Sequence, residues 1–329
     1  MYVATIDTGT TNTRVNIWDK DLVIGAATCA VGVKDTAITG SKDKLIIGIR
    51  QVLVAAVAAA NLSLENIDLI LATGMLTSNV GLIEIPHVTA PVDANYLADN
   101  MVEHHIPSIC EKSIWFIPGV KNTNRSLPSG QVEEMDMMRG EEVEVFGIMA
   151  KQKIDQPAVF ILPGSHNKFI SINDKGQIIG CMTTLAGELL DVLSKNTILA
   201  NSVDHGFSIE IEPHAFFQGV QCYRKLGLGR AAFTIRILDQ FTEFTLEEKR
   251  SYLLGIVLAD DIQALQHSQI FSNFKDALII IAGKTVMQQG FQLLLADICR
   301  HVITLDADVQ ANISGYGAIA LAKQRGLLS

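Results

Sequence analysis

Twice along this chain an apolar strand breaks at a turn of small polar residues and resumes as a second apolar strand. The first break is Asp7-Thr-Gly-Thr-Thr-Asn12, between "YVATID" and "TRVNIWD". The second is Pro163-Gly-Ser-His-Asn-Lys168, inside "PAVFILPGSHNKFISINDKGQIIG". Each hairpin leads into a further strand, "LVIGAATCAV" in the first half and the segment after Asp-Lys-Gly in the second, and helical patterns follow both. An opening of this kind, met twice, predicts an α/β chain of two related βββα-type domains. The spacing sets them at 1–152 and 153–329, with the join near Ala150–Gln156.

The remaining periodicity fits that plan. Residues 43–61 read as a helix, "IDLILATG" and "SIWFIPG" as buried strands, and "MRGEEVEVFGIMAKQ" as a helix with acidic residues near its start, where the dipole favours them. In the second half, helices are expected over 185–200, 213–222, 228–239 and 246–267. Strands at "DALIIIAG" and "HVITLDAD" and a helix at "GYGAIALAKQRG" complete it.

Composition narrows the partners. Over 329 residues, 48% apolar content supplies a core, and a net charge of −9 argues against nucleic acid or an anionic membrane surface. An anionic small molecule needs only a local positive site and stays open. Five scattered cysteines without a Cys-x-x-Cys pair read as free thiols in a reducing compartment. The longest apolar stretch, from Leu45, is interrupted by Arg50 and Gln51 and suits a core helix better than a membrane span. No secretory signal is visible, so a cytoplasmic location is expected. A homo-oligomer stays open.

Asp7-Thr-Gly has three readings. It can be a plain hairpin turn, since Gly takes positive φ cheaply and Asp and Thr bond nearby backbone. It can be half of an aspartic-protease dyad, but that needs a second such turn, and "DTA" at Asp35 lacks the glycine. It can be a phosphate loop, in which small side chains leave backbone amides free to converge on an anion. A matching turn in the second half favours the last.

Several segments carry a family resemblance. These are "IDTGTTNTRVNIWD" (6–19), "ATGMLTSNVGLIEIPHVTAPV" (72–92), "IWFIPGV" (114–120), "DMMRGEEVEVFG" (136–147), "FILPGSHNKFISI" (160–172), "MTTLAGELLDVL" (182–193) and "IIIAGKTV" (279–286). In that order they resemble the 2-dehydro-3-deoxygalactonokinases, sugar-acid kinases of the actin-like ATPase and sugar-kinase superfamily. Thr8 stands where that family usually has Trp. The resemblance implies an actin-like (ribonuclease H-like) fold with an interdomain cleft, ATP and Mg²⁺ as cofactors, and a keto sugar acid phosphorylated on its terminal hydroxyl.

It also implies roles, each with a plainer alternative. Asp7 would hold Mg²⁺ through water, and Gly9, Thr10, Thr11 and Asn12 would form the first phosphate loop with Arg14 nearby. Gly164, Ser165, His166 and Lys168 would form the second, Lys168 offsetting charge on the transferring group. Glu141 would be the general base, with Glu142 and Asp136 in reserve; the alternative is that these acids only complement the helix dipole. Met75, Ser78, Asn79 and Gly81 would form the substrate loop, Arg139 would take the carboxylate, and Glu188 would accept from sugar hydroxyls. Gly283 and Lys284 would lie against adenosine, although a Gly after a buried strand is commonly a strand end. Two other activities share these features: a kinase of another sugar or sugar acid, and an actin-like nucleotide-switch ATPase.

Overall fold

A computed structural model describes residues 1–328. By internal contacts the chain divides into two compact units. The first comprises Met1–Asp155, Gly176–Gly180 and Ala307–Ser329; the second comprises Gln156–Lys175 and Cys181–Asp306. The sequence division placed everything after 152 in the second domain. The structure differs at the C-terminal end, for a reason of packing given below.

In the first unit the chain runs β1 (Tyr2–Thr8), β2 (Thr13–Asp19), β3 (Leu22–Cys29), α1 (Val33–Thr39), α2 (Asp43–Ala59) and β4 (Ile67–Gly74). It continues through β5 (Val88–Thr89), α3 (Ala94–Asp99), β6 (Val102–His105), β7 (Ser113–Phe116), β8 (Val120–Lys121), β9 (Met137–Met138) and α4 (Glu141–Lys151). A six-stranded sheet has the order β3-β2-β1-β4-β7-β6. The opening hairpins are antiparallel, and β4 and β7 are parallel to β1. The central strands β1 and β4 are nearly wholly buried on both faces, whereas the outer β3 alternates.

Helix α2 buries Leu45, Ile49, Val52, Leu53, Ala56 and Val57, positions that recur every three or four residues and share one face. That settles the apolar stretch from Leu45 as a core helix. Among the described residues no helix is long and apolar enough to cross a membrane.

The second unit carries β10 (Ala158–Leu162), β11 (Asn167–Ile172), most of β12 (Ile178–Thr184, whose first three residues fall in the first unit), α5 (Ala186–Lys195), α6 (Pro213–Leu226), α7 (Leu228–Phe241) and α8 (Leu246–His267). Then come β13 (Leu278–Ile281), α9 (Thr285–Leu295) and β14 (His301–Thr304). Its sheet order is β12-β11-β10-β13-β14, with β10 and β11 antiparallel and β13 and β14 parallel to β10. This repeats the β3-β2-β1-β4-β7 order of the first sheet. Phe169 meets Phe271 and Phe291 edge-on in its core.

The last two helices, α10 (Ala307–Gln310) and α11 (Ile313–Gln324), belong to the first unit. Glycines let α4 and α11 lie backbone to backbone. A Cβ on Gly147 would come within 2.0 Å of Ile313 O, and one on Gly317 within 1.8 Å of Val143 O. Gly315 in turn accepts the Trp18 ring, which is fully buried.

Candidate active site

In the first unit the site starts where β1 meets the polar turn. Gly9 N–H donates to Asn12 O at 2.9 Å, closing the turn. The start of α1 pins it from outside: Val33 N–H donates to Gly9 O and Lys34 N–H to Thr10 O. Gly9, Thr10, Thr11 and Asn12 are exposed. With Asp7, Arg14 and Thr28–Ala30 they line an open pocket of about 520 Å³. Thr8 points the other way. Fully buried, it shares a 3.0 Å hydrogen bond with Thr13 Oγ1, so this residue has no route to the pocket.

Two glycines bring the neighbouring segments onto Asp7. Gly74, at the end of β4, has φ 77°, and a Cβ there would fall 2.6 Å from Thr8 O and 3.0 Å from Asp7 Oδ1. Gly140, at φ 112°, lies directly against Gly74, where a Cβ would be 3.2 Å from the Gly74 Cα. Both φ values lie in the region that side chains other than glycine rarely adopt. The start of α4 is thereby seated beside Asp7.

Four carboxyls meet around this point. Glu141 accepts from Arg139 N–H at 3.1 Å and remains partly exposed. Glu142 is sealed, both its oxygens taking the Gly140 N–H at 2.9 Å, and burial together with the Glu141 charge pushes its carboxyl well above the usual range. Burial lifts Asp7 to about 6 against the pull of Arg14, and lifts Glu144 to about 8 with help from the Asp7 charge. Asp136 lies just ahead of β9, its carboxylate accepting from Met137 N–H at 2.6 Å. Glu144 was not singled out from the sequence. Its spacing of three from Glu141 on a helix was the available signal. A cavity of about 40 Å³ behind Asp7 is lined by Thr5, Arg14, Asn16, Glu144 and residues 310–315. Arg14 donates there to Ala311 O at 3.2 Å.

In the substrate loop, Ser78 Oγ donates to Met75 O at 2.7 Å, and a Cβ on Gly81 would collide with the Met75 and Leu76 carbonyls. Both residues therefore shape the loop from within. Met75 is partly exposed and Asn79 fully so. Arg139 bonds protein groups: Thr77 Oγ1 at 2.6 Å, Ile85 O at 2.8 Å and His87 Nδ1 at 3.3 Å. Its guanidinium ties the 75–87 segment to the start of α4.

In the second unit the Pro163–Lys168 turn is braced on two sides. Gly187 packs so closely that a Cβ would stand 2.1 Å from Gly164 O, and Glu188 N–H donates to Ser165 O at 2.9 Å. Gly283, at φ 92°, lies against Pro163, while Lys284 is exposed at the start of α9. Gly164, Ser165 and His166 are exposed. Glu188 sits beside His166, 3.3 Å between Nε2 and Oε1, in the second unit rather than with the other substrate-loop residues. Lys168 is a buried strand residue whose ammonium donates to the Thr183 hydroxyl. Asn167 and Asp261, both buried and hydrogen-bonded to one another, were not anticipated.

Comparison with known proteins fits this arrangement. The family model for 2-keto-3-deoxy-galactonokinase matches residues 7–317. A Rhizobium meliloti (strain 1021) protein named probable 2-dehydro-3-deoxygalactonokinase DgoK1 is 28% identical over 225 residues, 68% of this chain and 66% of that relative. The match thus spans about two thirds of the relative's length. A crystal structure of a Sinorhizobium meliloti protein assigned as a 2-dehydro-3-deoxygalactonokinase superposes with TM-score 0.77 at 23% identity, covering 98% of each chain. Component A of the (R)-2-hydroxyglutaryl-CoA dehydratase of Acidaminococcus fermentans shares the fold at TM-score 0.52 and 13% identity, over 98% of this chain and 99% of that one. With two sheets of one strand order and a family match over nearly the whole length, the chain has the actin-like ATPase and sugar-kinase fold and belongs to the 2-keto-3-deoxy-galactonokinase family.

Proposed function

We propose that the chain transfers the γ-phosphoryl group of ATP to the terminal hydroxyl of 2-dehydro-3-deoxy-D-galactonate, giving the 6-phosphate and ADP. The observation that carries this reading is the seating of a partly exposed Glu141 beside Asp7 and the first polar turn by the Gly74–Gly140 contact. Phosphoryl transfer asks for positioning and charge stabilisation more than covalent chemistry, and a metal-holding acid next to a base answers that need.

Glu141 takes the hydroxyl proton as the oxygen attacks phosphorus and the bond to the ADP oxygen breaks. Of the three acids considered for this task, Glu142 is sealed with both oxygens on the Gly140 N–H, whereas Glu141 is partly exposed beside Asp7, which favours Glu141 and keeps Asp136 in reserve. Asp7 is a half-buried carboxylate only partly offset by Arg14, and its hard oxygens would suit Mg²⁺ held through water and phosphate. Mg²⁺, when bound, offsets charge on the phosphate oxygens. The Gly9–Asn12 turn and the Gly164–His166 turn cradle phosphates, Lys168 adds positive charge through strand β11, and the Gly283–Lys284 turn lies against adenosine. Asn79 and Met75 meet the sugar acid. Arg139 holds the substrate loop through Thr77 and Ile85 and, with N–H groups left over from those bonds, remains the donor proposed for the substrate carboxylate.

The test is ADP release with Mg·ATP across 2-dehydro-3-deoxy-D-galactonate, its gluconate epimer, gluconate, hexoses, glycerol and no acceptor. A saturable response to the galactonate compound is expected. A response confined to another member would move the specificity and keep the chemistry. Slow ATP hydrolysis indifferent to every acceptor would overturn the kinase reading in favour of a nucleotide switch.

A further inference from the structure

The Pro163–Lys168 turn is braced from within by a side chain that none of the chemistry above uses. Asn167 is fully buried, and its amide is committed at both ends. Its Oδ1 accepts from Gly164 N–H at 3.1 Å, across the turn. Its Nδ2 donates to Asp261 Oδ2 at 2.7 Å, a residue 94 positions away in the middle of α8 and only 2% exposed.

Chemistry makes this chain of contacts directional. Gly164 N–H can only donate, so Asn167 must turn its Oδ1 to it, and this leaves Nδ2 to donate to Asp261, which has an oxygen to accept it in either protonation state. Rotated by half a turn, it would set its own amide donor against the Gly164 N–H, in a buried place where an unmet polar group is costly. Without the carboxylate, nothing on the α8 side chooses between the two orientations.

The setting is otherwise unfavourable for an acid. Burial pushes the Asp261 carboxyl up to about 7, and donation by Asn167 is what pulls it back. The Thr184 hydroxyl beside it is buried without a well-formed partner. Asp260, the next residue back, has a task of its own, accepting from Tyr223 Oη at 2.6 Å.

We propose that Asp261 is a positioning residue for the phosphate-binding turn: by fixing the Asn167 amide it sets the Gly164 backbone and so the shape in which the turn receives phosphate oxygens. The proposal rests on the reading of this turn as a phosphate loop. Asp261 is only 2% exposed, and the effect proposed for it is transmitted through Asn167.

The experiment is calorimetric titration of Mg²⁺ with the non-hydrolysable analogue adenylyl imidodiphosphate, without acceptor, into the full chain. The proteins are wild type, Asp261→Ala, Asp261→Asn, Asn167→Ala and the Ala/Ala double variant, each checked by thermal unfolding. Asp261→Ala and Asn167→Ala should each weaken binding about tenfold, which is about 1.4 kcal/mol. The double variant should be no weaker than either single one, since both break one chain of contacts. Asp261→Asn, whose Oδ1 still accepts from Asn167, should stay within about threefold of wild type. In turnover, KM for ATP should rise in the Ala variants while KM for the acceptor holds.

Wild-type affinity in Asp261→Ala, or additive losses in the double variant, would overturn the proposal. Should Asp261→Ala fail to fold, wild-type affinity in Asn167→Ala would overturn it equally. No binding by the wild type itself would bring down the phosphate-loop reading, an outcome distinct from the others.

Discussion

Glu141 accepts a backbone amide and stays open, while its neighbour Glu142 is closed off with both oxygens on Gly140. The two acids look alike in sequence and differ only in which side of the helix start they occupy. Glu141→Gln should lower kcat by roughly two to four decades while the affinity for Mg·nucleotide stays nearly unchanged, because the amide keeps the shape and loses the base. Near-normal turnover in that variant would remove Glu141 from the role. Asp261 offers a pH signature. Its carboxyl is raised from 3.8 to about 7 by burial, so between those values the folded chain holds more proton than the unfolded one. Its contribution to stability is therefore lost as pH rises from about 4 to about 7, at a scale of ~1.4 kcal/mol per unit. Denaturation of wild type against Asp261→Asn from pH 5 to pH 8 should show the stability difference moving in the variant's favour as pH rises. A difference independent of pH would contradict the raised carboxyl. The two hairpin turns were legible in the sequence because small polar turns are local chemistry. The engagement of Arg139 by residues 54 and 62 positions away, and of Asn167 by one 94 away, leaves no local trace.

Helices α4 and α11 meet through Gly147 and Gly317 at distances that admit no side chain. Gly317→Ala should therefore destabilise the chain by about 1–3 kcal/mol as the helices are forced apart. Thermal unfolding measures this directly, and an unchanged Tm would mean that the packing adjusts freely. The helix over 313–324 was readable from its apolar spacing, with its partner unreadable. Much the same holds for the strands. The longer ones show as apolar runs in β1, β2, β4, β10 and β11 and as an alternation in β3, whereas β5, β8 and β9 have two residues each and no pattern to show. Yet β9 immediately precedes Arg139, and a Cβ on Gly119 would strike both Met138 O and the Arg139 side chain. These three short strands form a sheet of order β5-β8-β9, and this least legible sheet is the one that delivers the Arg139 clamp to the substrate loop.

At the scale of the molecule, the division into units does not follow the order of the chain. The first unit takes Gly176–Gly180 and the C-terminal helix α11, which covers α4, from beyond residue 155, while the second lies within 156–306. Fragment 156–306 should consequently give a cooperative melt on its own, while fragment 1–155 should not, a contrast that circular dichroism on the two fragments would reveal. A cooperative melt for 1–155 would show α11 to be dispensable. The repeated hairpin announced two related units correctly in kind, because each hairpin is local. The reassignment of the C-terminal helix depended on glycine contacts across the whole length of the chain. That same arrangement has a consequence for biosynthesis. The sheet made first is the one finished last: its α4 face stays uncovered until residues 307–329 have left the ribosome, by which time the later-made unit has had all of its own sequence available. On a growing chain, the N-terminal sheet is the aggregation-prone nascent surface, and it is where a holding chaperone would engage.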